Sequence, residues 1–104
     1  MQAAELMDSA YMPSSTYEFG KTWRKLDAFT QTLPAEYHSD QVECAVFFVA
    51  EHMLNRGNKA STVHNYWHFI TTGWRILGKH ALLKDPRSVL IEKGLSALKA
   101  ANIE

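Results

Sequence analysis

The sequence predicts an all-α domain, a compact bundle of four main helices preceded by a shorter one, and three observations carry that prediction. Apolar residues recur at spacings of three and four along most of the chain. Proline, glycine and Asp-Pro signals fall between those stretches, where helices have to stop and start. No stretch has the strict alternation of a strand, and no internal repeat or low-complexity tract interrupts the pattern.

Residues 3–12 carry Leu6, Met7, Ala10 and Tyr11 at i, i+1, i+4 and i+5, a short helix that Pro13 closes because proline lacks an N–H and disfavours helix at the residue before it. Ser14, Ser15 and Thr16 are cap candidates for a helix over Ser15–Thr32. There Phe19, Trp23, Leu26 and Phe29 form a narrow apolar stripe, with Tyr17, Lys21, Arg24, Lys25 and Ala28 opposite. Gly20 inside it costs about 1 kcal/mol against alanine, so close packing or tolerance has to account for it.

Leu33-Pro34-Ala35-Glu36 is a connection, and Ser39 or Asp40 caps a helix to about Asn55. Asp40 and Glu43 suit its N-terminus; Val42, Ala45, Val46, Phe48, Val49 and Met53 give it a broad buried face. Arg56-Gly57-Asn58 ends it with a glycine suited to the left-handed conformation, and the next helix follows at once as an antiparallel neighbour.

That helix, Ser61–Gly78 with Ser61 or Thr62 as its cap, is the centre of the arrangement. At about 100° per residue, Val63, Tyr66, Trp67, Phe69, Ile70, Trp74, Ile76 and Leu77 fill one half of the wheel. Ser61, His64, Asn65, His68, Thr71, Thr72, Arg75 and Lys79 fill the other. An apolar arc that wide exceeds what one neighbour covers, so the helix is packed on two sides with one polar face open. Lys79 to Lys84 is a short connection. Asp85-Pro86 then starts the last helix, about Pro86–Ala100, which presents Val89, Leu90, Leu95 and Leu98 inward and Lys93 and Lys99 outward.

At 104 residues this is one small domain rather than a two-domain enzyme. It has no apolar run of membrane-spanning length and no secretory layout at its start, so the expected setting is intracellular, nuclear in a eukaryote and cytoplasmic in a prokaryote, with no membrane partner. The lone Cys44 has no internal disulfide partner and no basic sequence neighbour to activate it, and reads as a small helix residue.

Net charge is zero, which by itself argues against a strongly basic nucleic-acid binder. Its distribution says more. Residues 1–55 hold three basic and eight acidic residues, residues 56–104 eight basic and three acidic, and from Arg56 to Lys84 there are five basic residues and no acid. The open face of the central helix lies in that window, which makes a polyanion its candidate partner; the bland alternative is a solvated face. His64 and His68, at i and i+4, have the spacing of paired metal ligands, but the sequence places no third ligand, so neither a metal nor any other cofactor is expected. The aromatics Trp23, Trp67, Trp74, Phe48 and Phe69 sit at core spacing rather than as base-stacking platforms.

The order of these features resembles the N-terminal core-binding (SAM-like) domain of tyrosine recombinases of the phage-integrase and Cre type. The resemblance runs over about residues 4–100. It is carried by Pro13-Ser14-Ser15 ahead of Phe19, Trp23, Leu26 and Phe29, then Leu33-Pro34-Ala35, Val42 and Phe48. Arg56-Gly57, Ser61-Thr62-Val63, Tyr66-Trp67, Ile70, Trp74-Arg75, Gly78, Asp85-Pro86 and Leu95-Ser96-Ala97-Leu98-Lys99 continue it. The opening Leu6-Met7-Asp8-Ser9-Ala10 is most similar to recombinases of eukaryotic DIRS-type retroelements. The family often has His where Trp74 stands and Gly where Ala97 stands, which alters local packing.

The resemblance implies a DNA-binding module, one half of a clamp around duplex DNA, that supports recombination and integration together with other recombinase protomers. It implies no catalysis by this chain alone, because the family's Arg, Lys, His and nucleophilic Tyr belong to a C-terminal domain that is absent here. The DNA-facing positions carried over are Tyr17, Glu18, Lys21 and Arg24 on one helix and Ser61, Thr62, Asn65 and His68 on the central one. Lys25, His64, Thr71, Thr72, Arg75 and Lys79 extend those faces. The rival expectation is a helical protein-interaction module, or a domesticated relic, that no longer binds DNA; zero net charge and Glu18 favour it.

Overall fold

A computed structural model describes residues 13–101, and among them every regular element is helical and none is a strand. Five helices follow in order: α1 Pro13–Thr32, α2 Gln41–Ala50, α3 Ala60–Ile76, α4 His80–Lys84 and α5 Pro86–Ala100. The expected helix over residues 3–12 lies outside the described residues.

Several boundaries differ from expectation for physical reasons. α1 is described from Pro13 onward, so Ser14, Ser15 and Thr16 lie within the helix rather than ahead of it. Asp40, not Ser39, caps α2, accepting from the Glu43 N–H at 3.1 Å. The helix then widens into a π-helical turn over Glu51–Asn55, in which the Arg56 N–H reaches back to Glu51 O. Gly57 follows with φ +62°, the left-handed conformation expected of it.

α3 starts one residue before the expected Ser61. Its N-cap is Lys59, in extended conformation and with no side-chain capping bond, so neither Ser61 nor Thr62 is the cap. At the other end Gly78 has φ +74°, Lys79 N–H bonds Trp74 O at 2.8 Å and Gly78 N–H bonds Arg75 O at 3.1 Å, the paired closure that a left-handed glycine allows. The segment expected as a plain connection winds into α4. Asp85 caps α5 through the Arg87 N–H at 2.9 Å, with Pro86 at the first helical position.

The core joins α1, α2 and α3: Phe19, Trp23 and Leu26 meet Val42, Ala45, Phe48 and Val49, and Val63, Trp67, Ile70 and Trp74 complete it. Leu95 is the one residue of α5 that enters this cluster. α1 approaches α3 closely because Gly73 has no side chain: a Cβ there would fall inside the Trp23 indole. The same indole donates to Phe69 O at 3.0 Å, and Phe19 meets Phe69 edge-on. Gly20 is buried as well, which favours close packing over tolerance at that position. Cys44 is buried and its thiol donates to Tyr37 O at 3.1 Å.

The inward face of α5 is only half the expected one: Leu95 and Leu98 turn inward as expected, but Val89 and Leu90 are exposed, the latter by 68 %, and Ser88 and Ile91 take their place. Ser88 is buried because its hydroxyl donates to Leu82 O at 2.7 Å, closing α4 onto α5. Ile76, placed on the apolar half of α3, is also exposed. It is the last helical residue, where the chain has already left the core.

Candidate nucleic-acid interface

Two helical faces hold the candidate residues. On α1, Tyr17, Glu18, Lys21 and Arg24 are exposed, with Lys21 Nζ 5.8 Å from the centroid of the Tyr17 ring, one turn away. Lys25 is half-buried: its Nζ donates to Tyr66 Oη at 3.3 Å and lies 5.1 Å from the centroid of that ring. On α3, Asn65, His68 and Arg75 are exposed, and Ser61, Thr62, His64, Thr71 and Thr72 are half-buried.

The polar half of α3 is divided by its neighbours. His64 reaches Glu92 Oε1 on α5 at 3.4 Å, and Ser96 stands 3.5 Å from the same His64 nitrogen and 3.3 Å from Glu92. His64, His68, Thr71 and Arg75 line a groove of about 360 Å³ with Ser88, Val89, Glu92 and Lys93 across from them. His64 on α3 thus meets Glu92 and Ser96 on α5, the two helices that form the walls of the groove. Asn65 and Thr72 are not among the residues that line this groove. Lys79 is not brought together with them: it follows the Gly78 turn and lines a separate groove with Trp23, Asp27, His38 and Trp74. Burial there raises the Asp27 carboxyl above its ordinary range.

The cations fall into two sets. Arg87 is held by three carboxylates, Asp85 at 2.9 Å, Glu43 at 3.0 Å and Asp40 at 3.1 Å, which ties the start of α5 to the start of α2. Hydrogen bonds from Arg87 hold Asp85 down to about 2 and also lower Asp40. Arg56 pairs with Glu51 at 3.3 Å. Lys21, Arg24, Arg75, Lys79 and Lys93 have no carboxylate partner among the described residues.

Sequence reasoning missed three contributors. Glu92 enters the acid-free window from another helix, and Lys93 adds a cation on the opposite wall of the groove; they are 28 and 29 positions from His64 in the chain, so only the docking of α5 brings them near. Gly73 sets the distance between α1 and α3, and its lone place among bulky residues on the α3 wheel was the available signal.

His64, Ser96 and Glu92 are not a nucleophile–base–acid relay. Serine and carboxylate both address His64 Nε2, whereas a relay needs the acid on the other ring nitrogen. Among the described residues no group of three or more His, Cys, Asp or Glu side chains is placed to hold a metal ion, and no helix is long and apolar enough to cross a membrane. No family model matches the chain, and no curated protein or solved structure matches it significantly.

Proposed function

We propose that this domain binds duplex DNA through the exposed face of α1 and the open strip of α3, as the core-binding half of a tyrosine-recombinase-like protein that recombines DNA together with other protomers. In this reading the domain carries no catalysis of its own and works where the cell keeps its DNA. The sorting of the cations carries the reading. Lys21, Arg24 and Arg75 stand exposed with no carboxylate partner among the described residues, while Arg87 is taken up by three carboxylates. Unpaired cations are the ones able to exchange condensed counterions for phosphates.

Lys21, Arg24, Lys25 and Arg75 neutralise phosphates, Ser61 and Thr62 bond phosphate oxygens from the first turn of α3, and Asn65 and His68 read base edges or bridging waters. Glu18 sits against a polyanion only where it accepts from a cytosine amine. The test is a salt titration of duplex binding: log affinity falls linearly with log salt, by about 0.9 for each phosphate neutralised. Reversing the charge of Lys21, Arg24 and Arg75 together removes most of that slope and leaves the helical circular dichroism unchanged. Duplex affinity that ignores both salt and the triple reversal overturns the reading.

A second reading, a helical protein-interaction module, is favoured by one observation: Leu54 and Leu90 are 81 % and 68 % exposed, well above the burial ordinary for leucine. It predicts binding that resists salt and is lost on Leu90→Asp or Leu54→Asp.

A further inference from the structure

Between α1, the end of α2 and the π-helical turn, a groove of about 290 Å³ is lined by Lys25, Phe29, Phe48, Glu51, His52 and Arg56. His52 forms part of its wall and is only 6 % exposed. Its ring packs edge-on against Phe48 at 4.5 Å and Tyr66 at 5.1 Å, and its Nδ1 is 3.1 Å from the Asn58 side-chain amide. The π-helical turn produces this setting. By inserting an extra residue into the ladder it carries Glu51, His52 and Arg56 to the same mouth, and such insertions gather at functional sites.

The charged groups that face His52 are Lys25 from α1 and Arg56 and Glu51 from its own turn; α3 presents Tyr66 and the following loop Asn58. Arg56 spends only Nε on Glu51, and its two terminal nitrogens have no partner among the described residues. Glu51 is further occupied by Asn55 at 2.7 Å. The mouth therefore keeps the ammonium of Lys25 and the outer edge of the Arg56 guanidinium for an incoming group.

We propose that Lys25 and Arg56 form an oxyanion subsite that takes phosphate oxygens, and that its occupancy is coupled to protonation of His52 in the groove wall. The subsite rests on the DNA reading only for the owner of the phosphate.

Burial first, then Arg56 and Lys25, hold His52 below its ordinary 6.5, with Glu51 pulling weakly the other way. Neutral His52 thus stabilises the fold above about pH 6.5, and that stabilisation is lost as pH falls below it. An anion seated on the two cations cancels their opposition and lifts the titration. Linkage is reciprocal, so acid tightens anion binding by the same factor.

The test follows the His52 Cε1–H resonance of the full chain with pH, in sulfate and in chloride at equal ionic strength, sulfate being chosen because it does not itself titrate there. The expected result is a midpoint higher in sulfate by about half a pH unit, equivalent to roughly threefold tighter sulfate binding once His52 is protonated than while it is neutral. The double variant K25Q/R56Q returns the midpoint to its chloride position. His52→Gln keeps sulfate binding and loses its pH dependence. Equal midpoints in the two salts, or a difference that survives in K25Q/R56Q, overturns the proposal. Arg56 is exposed and paired only with Glu51, so the variant test stands even if His52→Gln does not fold. Duplex DNA that binds with no sulfate effect on His52 removes the subsite and leaves the DNA reading standing; a sulfate effect without duplex binding does the reverse.

Discussion

α3 and α5 pack against each other, yet they are held in place by different physics. α3 is buried along its whole length, with Ala60, Val63, Trp67, Ile70, Gly73 and Trp74 all inside. α5 buries only Ser88 and Leu95. What fixes α5 is concentrated at its first turn, in the Asp85 cap, the Arg87 cluster and the Ser88 bond to Leu82. One helix is secured by apolar area, the other by an anchored end. Amphipathic pattern reveals the first kind of attachment and is silent about the second.

The contrast can be broken at four places. Trp67→Ala, at 1 % exposure on α3, should cost about 3–5 kcal/mol in urea denaturation, the range for emptying an aromatic core site. A cost near that of a surface residue would mean α3 is not the helix that burial holds. Gly73→Ala comes next, at about 1–3 kcal/mol, because the new methyl has to displace the Trp23 indole. Trp23→Phe in the same chain should relieve part of that loss, which a simple helix-propensity effect cannot do.

Arg87→Ala should destabilise less than Gly73→Ala, and its effect should depend on pH. Asp85 and Asp40 are lowered in the folded chain, so their contribution is present above their ordinary 3.8 and is lost as pH falls toward about 2. Wild type and Arg87→Ala should therefore differ at pH 7 and converge in acid, read by thermal melts across that range. Leu90→Ser should be the smallest, within about 0.5 kcal/mol, as befits an exposed residue. A loss of about 2 kcal/mol or more would restore the inward face that the sequence suggested for α5.

Helix content, the central role of α3, the glycine closures at Gly57 and Gly78 and the Asp85-Pro86 start were all legible, because each rests on local chemistry: periodicity, φ freedom or a missing N–H. The inward face of α5 was legible only in part: Ile91, Leu95 and Leu98 recur at i, i+4 and i+7 and mark the buried stripe, Val89 and Leu90 beside them blur it, and the tie of Arg87 to Glu43 on α2 is visible only in the fold. The same limit applies to the candidate interface. Exposure of Lys21, Arg24, Asn65 and His68 follows from the wheel, whereas the approach of Glu92 to His64 and the consumption of Arg87 by three carboxylates are tertiary events. Net charge zero was uninformative for this reason: which cations remain available depends on which have been spent.

The tryptophans of the core have an optical consequence. Trp23 sits against Gly73 and reports the seating of α1, whereas Trp67, edge-on to Trp74 at 5.8 Å, lines the groove shared with α5. Chains that keep a single indole, with the others changed to phenylalanine, would emit separately for each side of α3. Should the anchored end of α5 let go before the core melts, the Trp67 emission would change at lower denaturant than that of Trp23, and the unfolding curves of the two colours would part.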